Sequence, residues 1–164
     1  MAADLELRPM TAGDFEIFWP VFRDIVRAQD SYAVDPDIDF ATARRYWLEA
    51  PLQVWSAWLD GELAGSYYLK PNFDGPADHI CNCGYMVDAR HRGRGIARRM
   101  CEHSLQAARD AGFRAMQFNC VLSSNKPAIH LWQSLGFETI GRIPEAYRHR
   151  DSGLVDALVM YRKL

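Results

Sequence analysis

The sequence predicts an α/β domain built on a mixed β-sheet. In its centre, segments with strand-like alternation are separated by segments whose apolar residues follow helical spacing. An Asp60-Gly61 pair between two apolar runs is a strong hairpin signal, so part of the sheet is expected to be antiparallel. Further on, a strand leads directly into a glycine-rich turn and a long helix. Strands that alternate with helices favour parallel neighbours, so both pairings are expected in one sheet.

The first third of the chain predicts one strand and two helices. Residues 5–8 alternate apolar and charged side chains, which is typical of a strand. Capping residues at 11–14 precede an amphipathic helix over 15–28. A break rich in Pro and Asp follows, and a second short helix is expected over 40–49, where Pro51 ends it.

The middle of the chain predicts a hairpin, a third strand and a long helix. The hairpin strands are 54–59 and 63–69, rich in aromatic and aliphatic residues. The third strand, 79–87, enters the glycine-rich turn. The helix is expected over 93–111, and Gly112 is its stop signal.

The last part predicts a strand over 115–121, a helix over 126–135 and a final β region that includes 155–162. Within that region, residues 144–150 form a polar segment that carries an aromatic side chain. This segment is interpreted as a loop that covers an acceptor site, forms a dimer contact or is simply an exposed hairpin loop.

Length and composition predict one ordinary domain over residues 1–164. The chain is 49% hydrophobic and 24% charged, with a formal charge of −2 and a pI near 6.2. This balance gives no general attraction to nucleic acid or to a membrane surface. Residues 1–8 lack the apolar core of a signal peptide, so a cytoplasmic location is expected.

The four cysteines leave two interpretations open. Cys81 and Cys83 would point to the same face of a strand, which suits either metal or redox chemistry, or two small apolar residues of a buried strand. Because no partner pair has the spacing of a zinc site, the second interpretation is favoured. Free thiols and no bound metal are therefore expected.

A strand-to-helix turn over residues 87–97 is the main functional signal. A helix start leaves backbone N–H groups unpaired and carries partial positive charge, so it attracts phosphate. Gly93 and Gly95 allow close backbone approach, and five arginines lie nearby: Arg90, Arg92, Arg94, Arg98 and Arg99. The alternative is a solvated basic corner. The pattern matches neither a dinucleotide fingerprint nor a Walker loop.

At this turn the chain resembles the GNAT superfamily of N-acetyltransferases, whose R/Q-x-x-G-x-G/A motif matches Arg90, Gly93 and Gly95. Residues 125–137 are similar to the family's N-x-x-A-x-x-L-Y-x-x-x-G-F segment. The resemblance implies the GNAT fold: a mixed, mostly antiparallel sheet of six to seven strands, about four helices and a splayed central strand pair. It also implies acetyl-CoA as acetyl donor.

The resemblance further implies which residues bind the coenzyme. The pantetheine arm would pair with the exposed backbone of the strand before the turn, the pyrophosphate would bind the turn, and the next helix would complete the site. These residues are Tyr85, Met86, Val87, Arg92, Gly93, Arg94, Gly95, Ile96, Ala97, Asn125 and Trp132.

One position departs from the family pattern. The family commonly uses the tyrosine of the L-Y pair to protonate the departing thiolate, and here that position is Trp132. An indole N–H is not an acid at neutral pH, so another group serves or the thiolate leaves unaided. Trp132 packs either on the coenzyme arm or in the core. Tyr147, His130 and Cys120 are the candidate proton donors.

Three asparagines are candidates for the acceptor site. Asn82 and Asn119 fall in predicted buried strands, where asparagine is uncommon, and Asn125 begins a helix. They are expected either to satisfy the core and cap the helix, or to project into the cleft. An amide is not a general base, so Asn119 and Asn125 would orient the substrate or a water molecule during catalysis, and Asn82, Asn119 and Tyr147 would bind the substrate.

These asparagines and the C-terminal segment are similar to acetyltransferases that act on proline analogues such as azetidine-2-carboxylate. That resemblance implies a small amino acid or proline analogue as acceptor, by direct attack of its amine. Two alternatives stay open: acetylation of a protein N-terminus or lysine, and a module that binds acetyl-CoA without turnover. A homodimer is also expected, because the aromatic residues supply interface area.

Overall fold

The structure is a computed structural model that describes residues 4–164, and within them seven strands form one mixed sheet. Along the sheet the strand order is β1-β2-β3-β4-β5-β7-β6. The strands are β1 (Leu5–Pro9), β2 (Gln53–Leu59), β3 (Glu62–Pro71), β4 (Ile80–Val87), β5 (Ala115–Leu122), β6 (Glu138–His149) and β7 (Gly153–Lys163). The β4–β5 pair is parallel and every other neighbouring pair is antiparallel. The predicted mixed, mostly antiparallel sheet is confirmed.

Four α-helices cover the sheet in the described part of the chain. They are α1 (Ala12–Ala28), α2 (Phe40–Arg44), α3 (Ile96–Asp110) and α4 (Lys126–Ser134). The predicted cap of α1 is present, since Thr11 and Asp14 exchange side-chain and backbone hydrogen bonds as a capping box. The helix predicted over 40–49 divides into α2 and a π-helical turn, Arg45–Glu49.

The core consists of two clusters on opposite faces of the sheet. One includes Met100 and Leu105 of α3 together with Phe137. The other includes Phe18 and Phe22 of α1 together with Trp47 of the π-helical turn. We call these the α3 face and the α1 face. Because strand side chains alternate between faces, each position of β3 and β4 belongs to one of them.

Strands β4 and β5 stay paired over a short distance. Ile80 pairs with Ala115 and Cys81 pairs with Met116, after which the strands separate. The parting opens a gap in the middle of the sheet between Asn82 and the C-terminal half of β5. The splayed pair implied by the family resemblance is therefore present.

Most predicted elements are confirmed, with two corrections. The helix predicted to begin at residue 93 begins at Ile96, because Gly93 and Gly95 have φ of 76° and 74° and lie outside it. Residues 144–149 of the predicted loop belong to β6, where a register irregularity lies between Ile143 and Tyr147. The long β6–β7 pairing supplies backbone partners that the local sequence does not reveal.

Three smaller expectations can be compared with the structure. The four cysteines are free thiols, as predicted. Among the described residues, no helix has the length and apolar character needed to cross a membrane. The expectation of a cytoplasmic location rests partly on residues 1–3, which lie outside the described residues.

Candidate active site

A cleft of about 430 Å³ runs through the gap between β4 and β5. On one side it reaches Arg92 and Ala97 at the start of α3 and Trp132 of α4. On the other it reaches Tyr68 and Lys70 of β3. Both faces of the sheet thus open into one continuous cavity, which suits a reaction between two molecules that enter from opposite sides.

The backbone of β4 offers free hydrogen-bonding groups to the cleft. In an antiparallel pair each residue turns its N–H and C=O to one neighbour, and the direction alternates. The Asn72 N–H bonds the Ile80 carbonyl, and the Asp88 N–H bonds the Ala64 carbonyl. The backbone N–H and C=O groups of the even-numbered residues of β4 therefore point to β3. The backbone groups of Tyr85 and Val87 point to the opened gap.

This alternation distinguishes the predicted coenzyme residues of β4 by the direction of their backbone groups. Met86 lines the cleft, but its backbone is directed to Ser66 of β3 and is not available to a ligand. Val87 retains that capacity, and so does the N–H of Tyr85, whose carbonyl accepts from the Tyr32 hydroxyl. The sequence predicted the strand, but the pairing partner of β4 was needed to separate the two backbone edges.

The phosphate turn has the conformation that an anion requires. Helix α3 begins after Gly95 with no side-chain cap on its N-terminal N–H groups, which remain open to a ligand. A Cβ added at Gly93 or Gly95 meets nothing within 4 Å, so positive φ rather than crowding demands glycine there. A pyrophosphate fits this exposed turn, with the helix dipole favouring its charge.

The arginines of the turn are not equivalent. Arg90 is held by Asp88, with Nη2 at 2.7 Å from Oδ2, and Arg98 donates to Ser134. Arg94 lies 3.5 Å from Asp60, and Arg99 donates to the Leu5 carbonyl. Arg92 makes no ion pair or hydrogen bond with another described side chain and lines the cleft. The Arg92 guanidinium therefore remains available to bind a phosphate.

Trp132 packs on aromatic residues beside the gap. Its ring centroid lies 5.1 Å from both Tyr85 and Phe118, and it also lines the cleft. The two expectations for Trp132, core packing and contact with the coenzyme arm, are therefore compatible. The Tyr85 hydroxyl lies 2.7 Å from Ser104 Oγ on the α3 face, and burial raises the pKa of the Tyr85 hydroxyl.

Asn82 bridges the two strands where they part. Its Nδ2 donates to the Gln117 carbonyl at 2.9 Å, and its Oδ1 accepts from the Tyr68 hydroxyl at 3.1 Å. The side chain is 6% exposed and lines the cleft. Asn82 thus satisfies both interpretations, since it is a hydrogen-bonded core amide that also borders the cavity.

Asn119 and Asn125 also border the cleft, in different settings. Asn119 is exposed, contrary to the buried position expected from its strand, and it lies where β5 has parted from β4. Its Nδ2 donates to Asn72 Oδ1 at 2.7 Å. Asn125 caps α4 as predicted, accepting from the Ala128 N–H at 3.3 Å.

The three candidate proton donors are separated by the fold. His130 is exposed on α4, and the Tyr147 hydroxyl donates to the Tyr32 carbonyl, so neither borders the cleft. Cys120 does border it, and burial raises the pKa of its thiol. Tyr147 instead holds the segment after α1, whose Tyr32 hydroxyl reaches the Tyr85 carbonyl at 2.5 Å.

Sequence reasoning did not find the cleft residues that come from the first half of the chain. Tyr32 follows α1, Tyr46 lies in the π-helical turn, and Tyr68 and Lys70 lie on β3. Tyr68 carries only the aromatic-rich alternation of the hairpin as a local signal, and the other three residues carry none. Among the described residues that line the cleft, Lys70 and Arg92 are cationic and none is acidic.

Comparisons with known proteins agree with this architecture. The profile of the Acetyltransferase (GNAT) family matches residues 15–137. N-acetyltransferase aca1 of Schizosaccharomyces pombe is 33% identical over 151 residues, which are 92% of this chain and 66% of that protein. L-amino acid N-acyltransferase MnaT of Escherichia coli is 32% identical over 74 residues. These are 45% of this chain and 42% of MnaT, so the chain spans less than two thirds of either relative.

A solved structure covers almost the whole chain. A GCN5-related N-acetyltransferase from Kribbella flavida superposes with a TM-score of 0.93 at 40% identity, covering 98% of each chain. The seven-stranded sheet, the parted β4–β5 pair and the phosphate turn are thus parts of a known arrangement.

Proposed function

The chain belongs to the GNAT family of acetyltransferases, and from this premise we propose that it moves the acetyl group of acetyl-CoA to the amine of an amino acid or proline analogue. The observation that carries the proposal is the cleft through the parted strands. It joins a phosphate-binding turn on one side to Asn82, Asn119 and Lys70 on the other.

The donor half of the cleft fits acetyl-CoA by chemistry that this chain supplies. The uncapped start of α3 and the unpaired Arg92 suit the pyrophosphate. The backbone edge of Tyr85 and Val87 suits the amides of the pantetheine arm, as a further strand would. Trp132 supplies an apolar surface beside that edge. Acetyl-CoA is the acetyl donor used by the GNAT family.

The reaction proposed is direct attack on the thioester. The unprotonated amine forms a C–N bond with the acetyl carbonyl carbon, the C–S bond breaks, and coenzyme A leaves as a thiolate. A cleft-facing backbone N–H of β4 would stabilise the charge that develops on the carbonyl oxygen. Asn119 or Asn125 would orient the amine, or the water molecule that takes its proton.

The departing thiolate needs a proton that Trp132 does not supply. Cys120 borders the cleft, and because burial raises its pKa, its thiol remains protonated at neutral pH. It is the member of the predicted set that borders the cleft, so we propose that it gives its proton to the leaving sulfur, after which solvent would reprotonate it. Cys120→Ala is expected to lower kcat and to leave KM for acetyl-CoA unchanged.

The acceptor half supports a small polar substrate. Asn82, Asn119 and Asn125 all border the cleft, so their amides can accept from an amine or donate to a carboxylate. The similarity to MnaT, named as an L-amino acid N-acyltransferase, and the asparagine pattern shared with enzymes of azetidine-2-carboxylate both favour an amino acid.

The test is release of coenzyme A thiol from acetyl-CoA with a panel of acceptors: azetidine-2-carboxylate, proline analogues, common amino acids, polyamines and short peptides. Asn119→Ala and Asn125→Ala are expected to lower kcat/KM about 10-fold or more, the loss of hydrogen bonds to a charged partner. His130→Ala, on the exposed side of α4, is the matched control. Turnover of peptides alone would favour a protein acetyltransferase, and coenzyme binding without turnover would favour a sensing module.

The homodimer remains a prediction. Within the described chain, the exposed apolar side chains of the last two strands, Ile140, Ile143 and Leu154, offer the surface for it. Light scattering after size-exclusion chromatography measures the mass directly, and Ile143→Lys is expected to shift a dimer towards monomer.

A further inference from the structure

Lys70 lies on the acceptor side of the cleft, away from the phosphate turn. In the register of β3 and β4 it pairs directly with Asn82, so both side chains project to the α1 face. Arg92 and the start of α3 lie on the α3 face. The five residue steps from Asn82 to Val87 also separate them by about 17 Å along the strand. Lys70 is therefore not placed to bind the coenzyme pyrophosphate.

The charge of Lys70 is not neutralised within the protein. Its ammonium group makes no ion pair with any residue between 4 and 164, and no acidic side chain among them lines the cleft. The group lies over two aromatic rings, 5.2 Å from the centroid of Tyr68 and 5.9 Å from that of Tyr46. These contacts hold the lysine at the cleft wall and leave its hydrogen-bond donors for a ligand.

The surrounding groups match the rest of an amino acid. Asn82 shares the face of Lys70, and Asn119 reaches the same region through its hydrogen bond to Asn72 at the end of β3. An anionic group beside Lys70 would find amide donors next to the ammonium group. A cationic acceptor such as a polyamine would meet an uncompensated positive charge, which disfavours its binding.

We propose that Lys70 binds the carboxylate of the acceptor, so that the enzyme selects amino acids over amines that lack an acidic group. The inference rests on the proposed acetyl transfer and adds the residue that determines its specificity. The ammonium group acts on binding and takes no part in the transfer itself, so its removal raises KM for the acceptor and leaves kcat nearly unchanged.

The experiment compares matched acceptors on matched variants. L-Proline is paired with L-prolinamide, and azetidine-2-carboxylate with azetidine, so that each pair differs in the carboxylate. Lys70→Met keeps the length and the aromatic contacts of the side chain, whereas Lys70→Arg keeps the charge. We expect Lys70→Met to raise KM for the carboxylates about 10- to 100-fold, with KM for acetyl-CoA unchanged and KM for the partners that lack a carboxylate unchanged or lowered. Lys70→Arg should retain most of the preference.

The outcomes separate this inference from the proposed function. Equal effects of Lys70→Met on both members of a pair would overturn the role of Lys70 and leave acetyl transfer intact. Wild-type turnover of only those amines that lack a carboxylate would do the same. If no amine reacts, the proposed function fails, and Lys70 is then tested by titrating proline into the coenzyme A complex and following tryptophan fluorescence. Binding that is unchanged in Lys70→Met, or absent from the wild type, would overturn the inference.

Discussion

Replacing Asn82 by alanine should destabilise the protein by about 2–4 kcal/mol. The change removes a bond to the Gln117 carbonyl at 2.9 Å and one from the Tyr68 hydroxyl at 3.1 Å. Each buried polar group left without a partner costs about 1–3 kcal/mol. The Gln117 carbonyl and the Tyr68 hydroxyl both lie beside a cleft that water can enter, so the expected cost is about 1–2 kcal/mol for each. Their sum is the expected loss.

Urea unfolding followed by tryptophan fluorescence measures this loss. With an m-value of about 2 kcal/mol per molar urea, the midpoint of Asn82→Ala should fall by about 1–2 M. Tyr68→Phe breaks one of the two bonds and should cost about 1 kcal/mol. Since both variants lose the shared bond, the double variant should cost about 1 kcal/mol less than their sum.

A loss below about 0.5 kcal/mol for Asn82→Ala, with additive effects in the double variant, would refute the reasoning. The amide would then not hold the strands at the point where they part. The result also bears on enzymology, because the activity of Asn82→Ala reports substrate binding only under conditions in which the variant remains folded.

Three further predictions concern the turn, the core and alkaline pH. Arg92→Ala should raise the Kd for coenzyme A about 10-fold or more by calorimetry, whereas Arg90→Ala, whose guanidinium is held by a carboxylate, should change it less than about 3-fold. Gly84→Ala places a Cβ 2.5 Å from a tyrosine ring and should cost about 1–3 kcal/mol in urea unfolding, while Gly141→Ala, with its nearest atom at 3.8 Å, should cost less than about 1 kcal/mol. Burial raises the pKa of Cys101 from 9.0 to about 11, so the unfolded chain loses this proton first, and stability should fall from pH 9 to pH 11 by up to about 3 kcal/mol. Cys101→Ala should make that decline shallower; an unchanged slope would contradict the assignment.

The donor half of the site could be predicted from sequence because its signals are local. The turn at Gly93 and Gly95 lies between one strand and the helix that follows it, so neighbouring residues fix its conformation. The signals of Trp132 and Asn125 are local as well, since both belong to one short helix and its cap. Which arginine stays free was not predictable, because Arg92 is identified by the partners of the other four.

The acceptor half was only partly predictable. Asn82 and Asn119 were recognised as unusual strand residues, and Asn82 is buried as expected. Asn119 is exposed, because it lies where β5 has parted from β4, and that parting is a tertiary feature. Tyr147 was expected to bind substrate, and its hydroxyl is instead bonded to the Tyr32 carbonyl, a contact between residues 115 positions apart. Lys70 has no local signal at all.

The sequence by itself determined the elements, the hairpin at Asp60-Gly61, the phosphate turn and the family. These depend on backbone preferences and side-chain periodicity within short segments. The tertiary structure decided where β4 and β5 part, which edge of β4 is free, and that Lys70 and Asn82 share one face. Those features depend on strand register, which couples residues far apart in the chain, so no local pattern encodes them.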